Sequence, residues 1–226
     1  MERHAIYYIP PVATLWWKLG SEWLRNSADG SDSLPEFCRM DRLRREQLVR
    51  KPATYGWHAT LVAPFHLRAD RTQEELSERL RTVAARQRPF ELEVRAGLLS
   101  GFAAILPEPA SIPYINGLAS IAVTEFDGFR APLTLNEYKR RRTSIHDPRE
   151  IEHLERWGYP YVFDRYRFHM TLTDRLTSLE AKSVLTWWNA IVDRLGPLPI
   201  AEFSWCIQPR PGAPFEIRER FAFGKR

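Results

Sequence analysis

The stretches "YGWHATLVAPF" (55–65) and "RFHMTLT" (167–173) carry the same reactive side chains at the same spacing: an aromatic residue, a histidine, any residue, a threonine and a leucine. In the first these are His58, Thr60 and Leu61; in the second, His169, Thr171 and Leu172. At ordinary residue usage the pattern follows a given histidine by accident on the order of once in a thousand. Two of the six histidines show it, so we read it as a repeated device. Side chains two apart on a strand share a face, which puts each histidine beside its threonine. In the second stretch the alternation extends to Arg167 and Thr173, with Phe168, Met170 and Leu172 on an opposite, apolar face.

Two imidazoles, two hydroxyls and a nearby guanidinium suit a phosphodiester. Imidazole titrates near neutrality, so either His58 or His169 can take a proton from an attacking water or hydroxyl while the other protonates the leaving oxygen. Thr60 and Thr171 can hydrogen-bond the non-bridging oxygens, and Arg167 or Arg165 can balance developing negative charge. Tyr7 and Tyr8, on an N-terminal strand, are core residues by default; Tyr8 joins the candidate binding set. The chemistry needs no metal or other cofactor, and no obvious carboxylate cluster is present to hold a metal. One copy alone would read better as a histidine satisfied within a strand beside a β-favoured threonine. The repetition reverses that preference.

The elements around the two copies also match. "TQEELSERLRTVAAR" (72–86) has apolar residues at helical spacing behind a Thr72–Glu75 capping box, and "TSLEAKSVLTWWNAIV" (177–192) opens with Thr177 and Glu180 in the same arrangement. Strands are expected at 90–97 and 102–107 after the first helix, and at 201–208 and 215–223 after the second. The fold class is therefore α+β: duplicated strand, helix, strand, strand units with antiparallel sheets around a central cleft. An N-terminal strand (4–9) joins a sheet, an amphipathic helix covers 14–26 and a loop 27–37. We expect one bilobal domain over 1–226, with lobe one centred on 52–107, a mainly helical connection at 110–160 and lobe two centred on 165–226.

His58-Ala59-Thr60-Leu61 and His169-Met170-Thr171-Leu172, within this duplication, resemble the paired motifs of the 2H phosphoesterase superfamily. The resemblance implies duplicated lobes around a two-histidine cleft, metal-independent action, and substrates that are cyclic phosphates or 2′-linked phosphodiesters. "YGWHATLVAPF" and "WGYPYVFDRYRFHMTLT" further resemble a bacterial, DUF1045-like subfamily encoded beside carbon-phosphorus lyase genes and called phosphonate metabolism proteins. That similarity implies a small cyclic ribose phosphate as substrate. The rival functions are an RNA-end or 2′-5′ phosphodiesterase or ligase, and a non-catalytic phosphate or nucleotide sensor.

Composition sets limits on these readings. A formal charge of +5 favours phosphorylated or polyanionic partners, a small phosphorylated or cyclic-phosphate substrate before nucleic acid. No apolar run approaches the roughly 20 residues that span a bilayer, and "MERHAIYYIPP" does not read as a signal peptide, so a cytoplasmic protein without membrane partners is expected. Cys38 and Cys206 are too few for a disulfide framework. His146-Asp147 reads as a helix start, with Asp147 as cap, Pro148 at the first position and Glu150 at the third. Structural roles are expected for His4, His66 and His153. The run Lys139, Arg140, Arg141, Arg142 is a solvated face by default, with a phosphate-recognising rim as its functional alternative. The sequence does not indicate the oligomeric state.

Overall fold

Both helices expected behind the motif copies start where their capping boxes place them. Thr72 Oγ1 accepts from the Glu75 amide at 3.2 Å while Glu75 Oε2 accepts from the Thr72 amide at 2.8 Å. Thr177 and Glu180 repeat this at 3.4 and 2.7 Å. Each box satisfies two amides that a helix start leaves without intrahelical partners. Asp147 also caps as expected, accepting from the Arg149 amide at 2.8 Å.

The protein is described by a computed structural model covering residues 2–24 and 42–224. In chain order the elements are β1 (Arg3–Tyr8), α1 (Leu15–Leu24), α2 (Arg42–Tyr55), β2 (Ala59–Phe65), α3 (Gln73–Arg86), β3 (Phe90–Leu92), β4 (Val94–Leu99) and β5 (Phe102–Pro107). There follow α4 (Ile112–Phe126), α5 (Leu135–Arg142), α6 (Pro148–Trp157), β6 (Met170–Arg175), α7 (Ser178–Leu195), β7 (Leu198–Ile200), β8 (Glu202–Gln208) and β9 (Glu216–Ala222), with three short 3-10 turns. The fold is mixed α+β, and every strand pairing is antiparallel. One sheet has the order β2-β1-β8-β9, a second β4-β5-β6, and β3 pairs with β7 alone.

The two motif strands therefore lie at sheet edges. β2 ends the four-stranded sheet and β6 ends the three-stranded one, so each sheet takes strands from both halves of the sequence. Behind His58, Trp57 stacks on Trp188 of α7 with ring centroids 5.8 Å apart, and α1 leans on the same indole at Gly20, where a Cβ would overlap Trp57. The motif backbone thus rests on a tryptophan-rich core.

Three expectations needed correction. The strand expected at 90–97 breaks at Glu93, sending β3 and β4 to different sheets, and the short β7 that pairs β3 was not anticipated. Helix α2 was also missed. Its sequence RLRREQLVRKPATY is mostly charged, carries Pro52 inside, and shows no continuous apolar stripe, although Leu48 and Val49 are buried. The expected 27–37 loop, Cys38 and the last residues of the 14–26 helix lie outside the described residues. Among the described residues no helix is long and apolar enough to cross a membrane.

Candidate functional site

Each motif histidine stands one residue before its strand, and each is fixed by the carbonyl two residues upstream. His58 Nδ1 lies 2.9 Å from the Gly56 oxygen, and His169 Nδ1 lies 2.8 Å from the Arg167 oxygen. A carbonyl only accepts, so in both rings Nδ1 carries the hydrogen and the neutral imidazole presents a free lone pair at Nε2. In the first motif Nε2 is 3.4 Å from Thr60 Oγ1. The chain reaches the Gly56 carbonyl by leaving α2 through a left-handed residue, φ +75°, a conformation that glycine adopts without steric cost.

Both histidines are partly buried, and burial is the main force lowering both pKa values because it disfavours the cation. His58 is pushed down to about 4, with repulsion from His169 adding to burial and the Gly56 carbonyl opposing. His169 is lowered too, against the Arg167 carbonyl. The charge of His169 acts on His58, and burial favours the neutral form of both rings.

Two cavities adjoin at His58 and Tyr55. One, of about 350 Å³, is lined by Thr60, Tyr7, Arg3, Arg141 and Tyr159 as well as those two residues. The other, of about 210 Å³, is lined by Thr171, Phe102, Lys51 and Asp174 among others. The His169 ring lines neither cavity; its centroid sits 5.9 Å from that of Phe102, which lines the second. Hydroxyls, the His58 imidazole and cations thus line two adjoining cavities, a lining suited to an anion. Among the described residues no three His, Cys, Asp or Glu side chains gather as a metal-ligand set.

A family described as "Protein of unknown function (DUF1045)" matches residues 60–216. The chain belongs to the DUF1045 family. Two curated relatives carry the name ribose 1,5-bisphosphate phosphokinase PhnN. The protein from Janthinobacterium sp. (strain Marseille) is 35% identical over 99% of this chain and 51% of its own length. That from Laribacter hongkongensis (strain HLHK9) is 36% identical over 95% of this chain and 50% of its own. The chain spans about half the length of the curated relatives it matches. A solved structure described as TT0787 of Thermus thermophilus covers 99% of this chain and 100% of that chain at 13% identity and a TM-score of 0.43, a likeness too slight to carry an argument.

Within this DUF1045 chain, His58 lines both cavities, Thr60 the first and Thr171 the second, whereas His169 lines neither and meets them only through its ring contact with Phe102. The other sequence candidates are placed differently. Tyr8 is buried in the core, 6.0 Å from the Phe168 ring, and its hydroxyl donates to the Pro199 carbonyl at 3.4 Å. Tyr7 takes the place at the cleft instead: it is the cross-strand partner of Thr60, and its ring centroid lies 4.1 Å from that of His58. The pleat sends neighbouring residues to opposite faces, so only one of the two tyrosines can do this. Arg167 contributes its carbonyl, while its side chain is exposed and lines neither cavity. Arg165 is engaged by Asp147 at 2.9 Å and Asp164 at 3.1 Å. Thr173 is buried and accepts from the Ala103 amide at 3.1 Å, and it lines the second cavity with Thr171.

Arg3 and Tyr159 were not expected at the cleft, whereas Arg141 was expected there only under the alternative rim reading of the basic run. Arg141 is the member of the basic run that turns inward; its guanidinium donates to the carbonyls of Gly158 and Pro64 and lies over Tyr159, 5.9 Å from the ring centroid. Burial lowers its pKa. The density of the run was the only signal in the sequence. Arg3 gave none, because its place follows from the position of β1 inside a sheet.

Proposed function

We propose that the chain is a metal-independent phosphodiesterase that opens a small cyclic phosphate, with His58 and His169 as general acid and base. The supporting observation is the twin tautomer lock: both Nδ1 atoms are held by main-chain carbonyls, and both Nε2 atoms are thereby left unprotonated and able to take a proton. One Nε2 takes a proton from water as the water oxygen bonds to phosphorus. The bond from phosphorus to one ester oxygen breaks, and the other histidine, as imidazolium, delivers a proton to that oxygen. Water is added across one P–O bond and no proton is lost overall. An anionic substrate supplies the missing charge state, because a nearby negative charge raises an imidazole pKa.

Thr60 and Thr171 orient the phosphoryl oxygens, and Arg141 with Arg3 holds negative charge on the His58 side. The shared element order of β2–β5 and β6–β9, a strand, a helix and three strands in each, supports reading the chain as two related lobes forming one bilobal unit. The relatives' printed name concerns a phosphorylated ribose and describes proteins about twice as long. We take from it a phosphorylated pentose as ligand class, which agrees with a ribose cyclic phosphate in phosphonate catabolism. The test is phosphorus NMR of the EDTA-treated protein with ribose 1,2-cyclic and nucleoside 2′,3′-cyclic phosphates. Metal-free turnover of a ribose cyclic phosphate is expected. Preference for the nucleoside forms would move the reading to RNA ends, and binding without turnover would make the protein a sensor.

A further inference from the structure

No strand ladder sets the distance between His58 and His169. β2 and β6 are edge strands of separate sheets, so the relative placement of the two motifs must come from elsewhere. The Tyr166 hydroxyl spans the gap. Tyr166 lies three residues before His169 and donates to the main-chain carbonyl of Thr60, two residues past His58, at 2.9 Å. We propose that Tyr166 is a positioning residue, whose hydroxyl ties one histidine motif to the other through the core and fixes the spacing of the two imidazoles.

Three observations carry this inference. Tyr166 is 9% exposed, a site where phenylalanine would fill the same space without a hydroxyl that must find a partner. Its own amide closes a 3-10 turn onto the Phe163 carbonyl at 3.1 Å, so the ring is delivered by a short, tied segment. That turn starts at Phe163 with φ +51°, a left-handed conformation costly for a side chain with a Cβ, and strain of this kind persists where the surroundings enforce it. From Tyr166 the chain runs through the buried Phe168 to His169, whose Nδ1 is locked two residues back. From Thr60 it runs back to His58, whose ring is faced by Tyr7, Tyr55 and Thr60. Burial also raises the Tyr166 pKa, which keeps the phenol a donor.

The kinetic part of the inference rests on the two-histidine reading; the geometric part does not. The test is Tyr166→Phe, which keeps the ring and deletes the tie. With the substrate turned over by the wild type, kcat should fall on the order of tenfold at unchanged KM, the signature of misplaced catalytic groups. The second arm follows the His58 ring by proton NMR titration in wild type, Tyr166→Phe, His169→Gln and the double variant. His169→Gln should raise the His58 pKa in the wild-type background and raise it less in the Tyr166→Phe background. A loss of fold stability alone would leave that difference intact. An equal shift in both backgrounds, or an unchanged kcat in Tyr166→Phe, overturns the inference. If the wild type turns over no phosphate at all, the proposed function fails while the titration still decides the role of Tyr166.

Discussion

The carbonyl that fixes His58 belongs to a glycine in a left-handed turn at the end of a helix, whereas the one that fixes His169 belongs to an arginine two residues past a 3-10 turn. Different local structures thus deliver the same tautomer. Beyond the rings the two sides diverge. The cavity on the Thr60 side has Arg3 and Arg141 in its wall and no carboxylate, while the cavity on the Thr171 side has Lys51 and Asp174, whose charges oppose. On the proposed reading, proton transfer is provided twice and anion recognition once, which means an asymmetric ligand, with the reacting phosphate between the histidines and further negative charge toward Arg3 and Arg141.

The largest expected effect tests the shared half of the comparison. His58→Ala and His169→Ala should each lower turnover by ~10²–10⁴-fold, the usual contribution of a positioned general acid or base. The double variant should be little worse than either single one, because groups that act as a unit are strongly non-additive. Steady-state kinetics with circular dichroism as a folding control checks this. A variant that keeps near wild-type turnover would remove its histidine from the mechanism and make the repetition a matter of fold alone.

Next in size is a test of the unshared half. Arg141→Ala should cost ~10–100-fold in kcat/KM, since a charge-assisted hydrogen bond contributes ~1.5–3 kcal/mol. Arg141→Lys should recover part of that by keeping the charge. Arg167→Ala should change little, because the contribution of Arg167 is a carbonyl that alanine retains. Kinetics on the three variants, with thermal midpoints to register the loss of the Gly158 and Pro64 contacts, would separate them. If Arg167→Ala proved the more damaging, the anion would have to sit on the His169 side.

The same contrast explains what could be read from the sequence. The motif pair, the capping boxes at Thr72 and Thr177 and the Asp147 cap are patterns within a few residues of one another, and local geometry follows from them directly. Tyr8 was chosen over Tyr7 because "HAIYYI" shows no alternation to set its parity. β1 lies inside a sheet and Ala5 through Tyr8 are all at most 1% exposed, so burial alone does not reveal which face meets the cleft. Only the pairing of Tyr7 with Thr60 decides it. Arg3 and Arg141 reach the cleft from a strand and a helix far apart in sequence, and α2 has too few apolar residues to announce itself.

The smallest expected effect concerns the ground state of the two imidazoles and is read as stability against pH. A histidine whose folded pKa is below its unfolded value binds its proton first in the unfolded chain, so acid favours unfolding. For His58 the window runs from its ordinary value of 6.5 down to about 4. Above that window its contribution is constant. Within it, stability falls as pH falls, at up to about 1.4 kcal/mol per pH unit for one proton. Glu180, held down to about 2 chiefly by Arg44, acts in the same direction at lower pH, between its ordinary value of 4.5 and about 2, so the two windows barely meet. His58→Gln should therefore flatten urea-derived stability between pH 6.5 and 4 and leave the steeper loss below that range in place. His169→Gln should flatten the fall below pH 6.5 as well, since burial depresses that ring also. Identical slopes in wild type and both variants would mean that the imidazoles are solvated in the free protein, and that the uncharged resting pair on which substrate-induced protonation depends does not exist.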